Sequence, residues 1–423
     1  MSVRPLFVYG EEMSRYRFSP THPFNPMRLR LTIDLLKEMG LLTPGHILAP
    51  RMASEQELLS IHDQTYIDLV RSLGHIMRSR DEERPIDPLA LWDDLRTSAP
   101  PLAARLEELH GFRSRIDAHQ RIGDLYGLGT EDNPLFANMH EAAALVVGGT
   151  LQAAEAVMEG QADHALNLAG GLHHAHRGKA SGFCIYNDAA VAIHHLRQTY
   201  GARVLYVDTD AHHGDGVQWI FYDDPNVLSL SLHETGRFLF PGTGSVDERG
   251  SGAGYGYSLN LPLEPYTEDD SFLHLLQEIL PRAAHFFQPD VIVSQNGCDA
   301  HRYDPLTHLA VSTKVYREIP KLVHRMAHEY CGGRWIGLGG GGYDMWRVVP
   351  RAWSFLWAEM ADQPLSGEEE LSPAWLSRWQ SESPVELPRR FLDDDWPPMP
   401  RRDSISANNQ QTLQRLLRQL REG

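Results

Sequence analysis

Cysteine is nearly absent: Cys184, Cys298 and Cys331 are the three in a chain of 423 residues. Their number and scatter exclude a disulfide framework and a CxxC metal site, and they fit a reducing, cytoplasmic compartment. No apolar run approaches the ~18 residues that a membrane span needs, and no basic n-region with an apolar h-region opens the chain. No membrane association is expected. Positive charge is also in deficit, with Lys+Arg 39 against Asp+Glu 56 and a formal net charge of −17. Direct nucleic-acid or anionic-membrane binding, which needs a basic footprint, is therefore not expected. A cationic substrate would suit this surface better. Apolar residues, by contrast, make up 42% of the chain, enough for a substantial core.

The apolar material is distributed in a telling order. Leu6-Phe7-Val8-Tyr9 reads as a first strand, and the prolines of Thr21–Pro26 demand an extended loop. Helical spacing covers Leu29–Met39 and Glu55–Leu73. Residues 74–131 hold the charge run Arg80-Asp81-Glu82-Glu83-Arg84 and four prolines, and read as a solvated insertion with short helices near 89–96 and 102–110. A strong helix is expected over Asn138–Glu159. Thereafter the runs Ala165–Leu168, Val204–Val207, Val227–Leu232, Val291–Val293 and Trp335–Leu338 alternate with helical patterns. Those patterns lie at Asp188–Tyr200, Ser271–Phe287, Lys314–Tyr330 and Met345–Met360. Such alternation predicts an α/β domain over 1–365, a mainly parallel sheet with helices on both faces. Residues 366–423 read as a polar, Pro-rich extension ending in a helix, Thr412–Arg421, packed on the domain or partly mobile.

The chemistry concentrates where apolar runs end. Val204–Val207 leads into Asp208-Thr209-Asp210-Ala211-His212-His213-Gly214-Asp215. If the strand continues through His212, its period of two puts Asp208, Asp210 and His212 on one face. Carboxylates with an imidazole suit a divalent ion, whereas a polar strand end with capping acids is the bland reading. Other runs end in Gly170-Gly171-Leu172-His173-His174, in His233, in Asn296-Gly297-Cys298-Asp299 and in Gly339–Tyr343. In a parallel sheet these ends share one rim.

Taken together, GGLHHA (170–175), ASGFCIYND (180–188), VDTDAHHGDG (207–216), SLH (231–233), FPGTG (240–244) and GGGGY (339–343) resemble the zinc-dependent histone deacetylases. THPFNP (21–26) and LGTEDNP (128–134) are similar to the acetoin-utilisation branch of that family. The resemblance covers about residues 5–355. It implies the arginase/deacetylase fold, a single domain around an eight-stranded parallel sheet.

Position by position, the resemblance implies metal ligands at Asp210, His212 and Asp299, for Zn or alternatively Fe(II) or Co(II). It implies tandem catalytic histidines His173 and His174 with partners Asp208 and Asp215, and an oxyanion-stabilising Tyr343. It places Phe183, Phe240 and Leu306 along the substrate channel, Asp132 at its rim, Arg28 near the acetate exit, and K⁺ at Asp208 and Ser231. The implied activity is removal of acetyl groups from protein lysine, acetyl-CoA synthetase being a candidate substrate. Three alternatives stand beside it: an acetylpolyamine amidohydrolase, a binuclear ureohydrolase, and a non-catalytic binding protein. Asp299-Ala300-His301 resembles a ureohydrolase motif, but His301 stands where that motif carries a second metal-binding Asp.

Overall fold

A computed structural model describes residues 4–79, 90–111 and 114–422. One parallel sheet organises them, with strands β1 (Pro5–Val8), β2 (Ile47–Leu48), β3 (His164–Asn167), β4 (Val204–Asp208), β5 (Val227–Glu234), β6 (Ser258–Leu263), β7 (Val291–Gln295) and β8 (Trp335–Leu338). Their spatial order is β2-β1-β3-β8-β7-β4-β5-β6. β3, β4, β7 and β8 are buried at every position, as parallel strands covered on both faces require. The C-terminal ends of β3, β8, β7 and β4 therefore lie side by side.

All five later strands expected from the sequence are present: β8 has the expected bounds, β4, β5 and β7 run one or two residues longer, and β3 begins and ends one residue earlier. β2 and β6 were not legible: β2 is two residues long, and Pro262 weakens the strand pattern of β6. Proline is tolerated there because β6 is an edge strand. The helix Asp188–Tyr200 has the expected bounds. Asn187 Oδ1 accepts from the Ala190 N–H at 2.9 Å, and Gly201 ends it at φ 64°. The single helix expected over Glu55–Leu73 is instead two, Glu55–Leu59 and Gln64–Ser79. Between them Asp63 N–H donates to the Arg177 carbonyl and His62 Nδ1 meets the His176 carbonyl at 3.1 Å, so tertiary bonds replace helical ones.

In the insertion, helices run over Ala90–Ser98 and Pro100–His110, near the expected places, and a further one over Arg115–Tyr126. They are not merely solvated: Leu91, Trp92, Leu95, Leu106 and Ile122 are buried. The charge run at 80–84 lies outside the described residues. The third helix ends against the segment that carries Phe183, where Ala180 N–H donates to the Tyr126 carbonyl at 2.9 Å.

The C-terminal segment is stitched to the domain. Trp375 and Phe391 are fully buried, and the Trp375 indole N–H donates to the Leu31 carbonyl at 3.0 Å. The last helix spans Arg402–Glu422, starting ten residues earlier than its polar sequence suggested, because Asn409, Leu413 and Leu416 anchor it. It packs on β6 and on the helix Asp269–Phe287, covering the sheet edge. Arg351, 1% exposed, pairs with Asp393 at 2.8 Å, and the same carboxylate accepts from Thr313 N–H, Thr313 Oγ1 and His301 Nε2. Burial works against its charge, but His301 and Arg351 hold its pKa well below the usual carboxylate range.

Asp393→Ala leaves Arg351 buried without its counter-charge and is expected to cost about 3–5 kcal/mol of unfolding free energy at pH 7. Because the folded pKa is depressed, this stabilisation is full above the unfolded value of about 3.9 and fades as pH falls below it. Denaturant melts at neutral and acid pH check both: the wild-type–variant gap should narrow in acid.

Candidate active site

Strand β4 stops at Asp208, short of the expected continuation through His212. Asp210 N–H donates to Asp208 Oδ1 at 3.2 Å and His212 N–H to Asp210 Oδ1 at 2.9 Å. The acids thus turn their own backbone out of the ladder. The expected shared face does not exist, and Asp208 parts company with the other two. Its Oδ2 faces His173 Nδ1 at 2.7 Å and accepts from Tyr206 OH at 2.7 Å.

Asp210 and His212 instead meet Asp299, which lies beyond β7. His212 Nδ1 is 3.1 Å from Asp210 Oδ1 and 2.9 Å from Asp299 Oδ2, and all three residues are buried. One donor atom from each lies within 4.8 Å of the others, close enough to share an ion. The surroundings keep the carboxylates aimed. Gln295 Nε2 and Gly341 N–H both donate to Asp210 Oδ2 at 2.7 Å, and Ala211 N–H donates to Asp299 Oδ1 at 2.8 Å. Glycine is required here by space: a Cβ on Gly341 would lie 2.1 Å from Asp299 Oδ2, and one on Gly297 2.1 Å from Asp210 Oδ2. Two carboxylates and an imidazole with no bulk above them fit a divalent ion such as Zn²⁺.

The tandem histidines stand beside this cradle. His174 Nδ1 faces Asp215 Oδ1 at 2.6 Å, and the two Nε2 atoms of His173 and His174 are 3.0 Å apart. Only one of those facing nitrogens can carry a proton. Burial pulls the His173 pKa down, but Asp208 and Asp210 overcome it and raise it to about 9. Burial, reinforced by the His173 charge, lowers His174 to about 4 against the pull of Asp215. These opposite shifts favour the shared proton on His173, with His174 Nε2 as its acceptor. Asp215 also meets His176 Nε2 at 3.4 Å.

Tyr343 follows Gly340 and Gly342, whose φ values are 143° and 135°. Its N–H donates to Asp304 Oδ2 at 2.8 Å, and its ring centroid is 6.5 Å from that of His212. Burial and the charges of Asp299 and Asp210 push its pKa well above the ordinary value, so the hydroxyl keeps its proton. Arg28, 2% exposed, lies under this run, donating to the Gly340 carbonyl at 2.8 Å and the Gly342 carbonyl at 3.2 Å.

Aromatic rings flank the opening. Phe240, 42% exposed, sits edge-on to His174 with centroids 5.0 Å apart, and Phe183 sits edge-on to Tyr343 at 5.7 Å. Phe183 has φ 70°, rare for a bulky side chain and a sign of a fixed position. Asp132 is exposed and close to His22, whose ring is edge-on to Phe183 at 4.6 Å. Leu306 is half-buried, its N–H donating to Asp304 Oδ1 at 3.0 Å. Ser231 is in register with Asp208 on the neighbouring strand and pairs with His233 Nδ1 at 2.8 Å.

Comparison with known proteins agrees with this arrangement. The model of the histone deacetylase domain matches residues 22–360. The chain belongs to the histone deacetylase family. The acetoin utilization protein AcuC of Bacillus subtilis is 50% identical over 418 residues, covering 98% of this chain and 97% of that one. AcuC of Staphylococcus xylosus is 42% identical over 414 residues, with 97% of each covered. Among solved structures, a histone deacetylase homologue complexed with SAHA superposes with TM-score 0.77 at 27% identity, over 98% of this chain and all of that one. A homologue from Aquifex aeolicus gives 0.75 at 26%, over 96% and 99%. The fold is the arginase/deacetylase fold, and the protein is a deacetylase, a hydrolase of a family that uses a metal cofactor.

Several supporting residues were not assigned a role from the sequence. Gln295, Asp304 and His22 act through contacts between segments far apart in the chain, whereas Tyr206 bonds Asp208 two residues on. Tyr206, two residues before Asp208, and His22, inside THPFNP, were within reach. Gly341→Ala is expected to displace Asp299 while leaving the fold intact, lowering kcat/KM by about 10²-fold. Steady-state kinetics beside a thermal melt check this; an unchanged rate would mean that the loop relaxes freely.

Proposed function

We propose that the protein hydrolyses the acetyl amide of lysine side chains in proteins, with Zn²⁺ held by Asp210, His212 and Asp299. Fe(II) or Co(II) would suit the same donors. The observation that carries this reading is the His173/His174 pair, each ring backed by its own carboxylate, beside the Asp210/His212/Asp299 donor set and the Tyr343 ring. A divalent ion held there would polarise the amide carbonyl and lower the pKa of water at the site to about 7.

The chain's own groups do the rest. His174 Nε2 takes the proton from the attacking water, with Asp215 fixing the tautomer and steadying the charge gained, and then passes that proton to the leaving amine. His173, held charged by Asp208, offers positive potential to the developing oxyanion. The Tyr343 hydroxyl donates to that oxyanion. Phe183 and Phe240 flank the lysine's methylene chain, Leu306 lies along the channel, and Asp132 grips backbone N–H groups at its mouth. Arg28 stands at the acetate exit, and Asp208 with Ser231 would hold K⁺. His301 is committed to Asp393 and to the Tyr303 N–H, which favours one metal over the two of a ureohydrolase. Glu107, a potential attractor for polyamines, is neutralised by Arg96, which favours peptide. Acetyl-CoA synthetase, a candidate that the family resemblance implies, is the protein substrate we propose, with the cytoplasm as the site of action. Among the described residues no helix is long and apolar enough to cross a membrane.

Asp299→Ala is expected to empty this metal site and abolish turnover. Tyr343→Phe should retain metal and lose roughly 10²–10⁴ in kcat. Metal analysis with a deacetylation assay separates the two, and wild-type turnover in Tyr343→Phe would move the oxyanion role elsewhere.

Asp132→Ala should depress kcat/KM for acetyl-lysine peptides while sparing acetylated polyamines, which have no peptide N–H to grip. A panel of both substrates with both proteins checks it. Preference for acetylpolyamines, with equal indifference to the substitution, would transfer the activity to that class.

A further inference from the structure

A second set of ligand-type nitrogens lies at the opposite end of the sheet. Among the described residues, His164, His324 and His328 form the other group close enough to share an ion, with ring nitrogens within 4.8 Å of one another. His164 opens β3, in register with Trp335 at the start of β8, whereas the catalytic groups lie beyond the strands' C-terminal ends. His324 and His328 are four apart on the helix Thr313–Tyr330 and so share a face. The two rings are 4.7 Å apart, and that of His328 is 5.5 Å from His164.

Their hydrogen bonding leaves lone pairs turned inward. His164 Nδ1 lies 2.8 Å from the Met360 carbonyl, which can only accept, so Nδ1 carries the proton. His324 Nδ1 lies 2.8 Å from Glu359 Oε1, which fixes the same tautomer. Both Nε2 atoms are buried and neither has a hydrogen-bond partner. His164 is itself fully buried. A buried acceptor without a donor is costly, and two in one cluster from separate elements call for a shared partner.

The chemistry around the cluster suits a cation. Imidazoles whose Nδ1–H is held by a carbonyl or carboxylate are the usual arrangement of metal-bound histidine, because the outer bond fixes the ring and raises its basicity. Burial lowers the His164 pKa to about 4 and, with His324, lowers that of His328, so both are neutral ligands at pH 7. Glu359 faces His324, Asp163 faces His164 and His328, and Asp362 also faces His328, supplying negative charge nearby. The Trp335 ring lies against His324 at 5.9 Å and closes the inner side.

We propose that His164, His324 and His328 form a second metal site, for a borderline divalent ion such as Zn²⁺. Three imidazoles bind it, and a solvent ligand occupies the fourth position on the exposed side of His328. The site lies at the end of the sheet away from the catalytic groups and joins three separate elements, so its role is structural. It fastens the start of β3 to the helix Thr313–Tyr330 and, through Met360 and Glu359, to the end of the helix Val349–Met360.

The test uses tag-free, full-length protein, stripped by chelator and reloaded with Zn²⁺ alone. Wild type is expected to hold about two equivalents by plasma mass spectrometry, and Asp299→Ala about one. Adding His328→Ala to Asp299→Ala should remove the remaining equivalent and the rise in Tm that Zn²⁺ brings. In otherwise wild-type protein, His328→Ala should lose one equivalent and keep deacetylase turnover. His324→Gln, which preserves bulk, serves as the second variant should His328→Ala fail to fold. Asp299→Ala that holds no Zn²⁺, or metal content and Tm unmoved by both histidine substitutions, overturns the site. Two equivalents in Asp299→Ala, one of them lost with His328→Ala, would uphold it and displace the catalytic ligand assignment instead.

Discussion

Asp208, Asp210, Asp215 and Asp299 are buried carboxylates in a rim built from apolar strands. An isolated carboxylate in such a place would protonate or destabilise the fold. Much of the local architecture answers that demand. Backbone N–H groups of Ala211, His212 and Gly341, the Gln295 amide and the Tyr206 hydroxyl all point at these oxygens. The glycines at 297 and 341 follow from the same need, since any side chain would occupy the carboxylates' own space. The site is therefore rigid before any ligand arrives. That is the condition for electrostatic catalysis, because oriented donors need not reorganise during the reaction.

The same negative charge differentiates two chemically identical neighbours. His173 is close to both Asp208 and Asp210, and so becomes the cation. His174 is close to Asp215 but also to that cation, and stays neutral. A metal at Asp210 would weaken the upward pull on His173 by cancelling part of the carboxylate charge. Acid and base character are thus set by position in a charge pattern, and residue type leaves them open.

How much of this was legible follows from range. The strand runs and the polar residues just past them are local, so the rim and the motif residues His173, His174, Asp210, His212, Asp299 and Tyr343 could be read directly. The fate of Asp208 could not, because whether a strand continues depends on Asp side chains bonding their own backbone. β6 stayed hidden behind Pro262, since only the tertiary position of the strand makes proline acceptable. The cluster of His164, His324 and His328 was equally hidden: one residue lies 160 positions before the next. Its only local trace is the spacing of four between the last two, which many helices share.

The C-terminal segment illustrates how a polar sequence can conceal a structural part. Asp393 bonds Arg351, His301 and the first turn of the helix Thr313–Tyr330. His301 is two residues past Asp299, and the next loop residue of consequence, Asp304, holds the backbone of Tyr343. One carboxylate from the segment therefore fixes the loop between a metal-ligand candidate and the oxyanion donor. Displacing Asp393 would free His301, and the nearest groups to feel the movement are Asp299 and Asp304. Burial of Arg351 alone would be a liability, since an unpaired guanidinium in the core is strongly destabilising. The pair makes sense only with both partners in place. The extension is thereby coupled to the site's geometry as well as to the domain's stability.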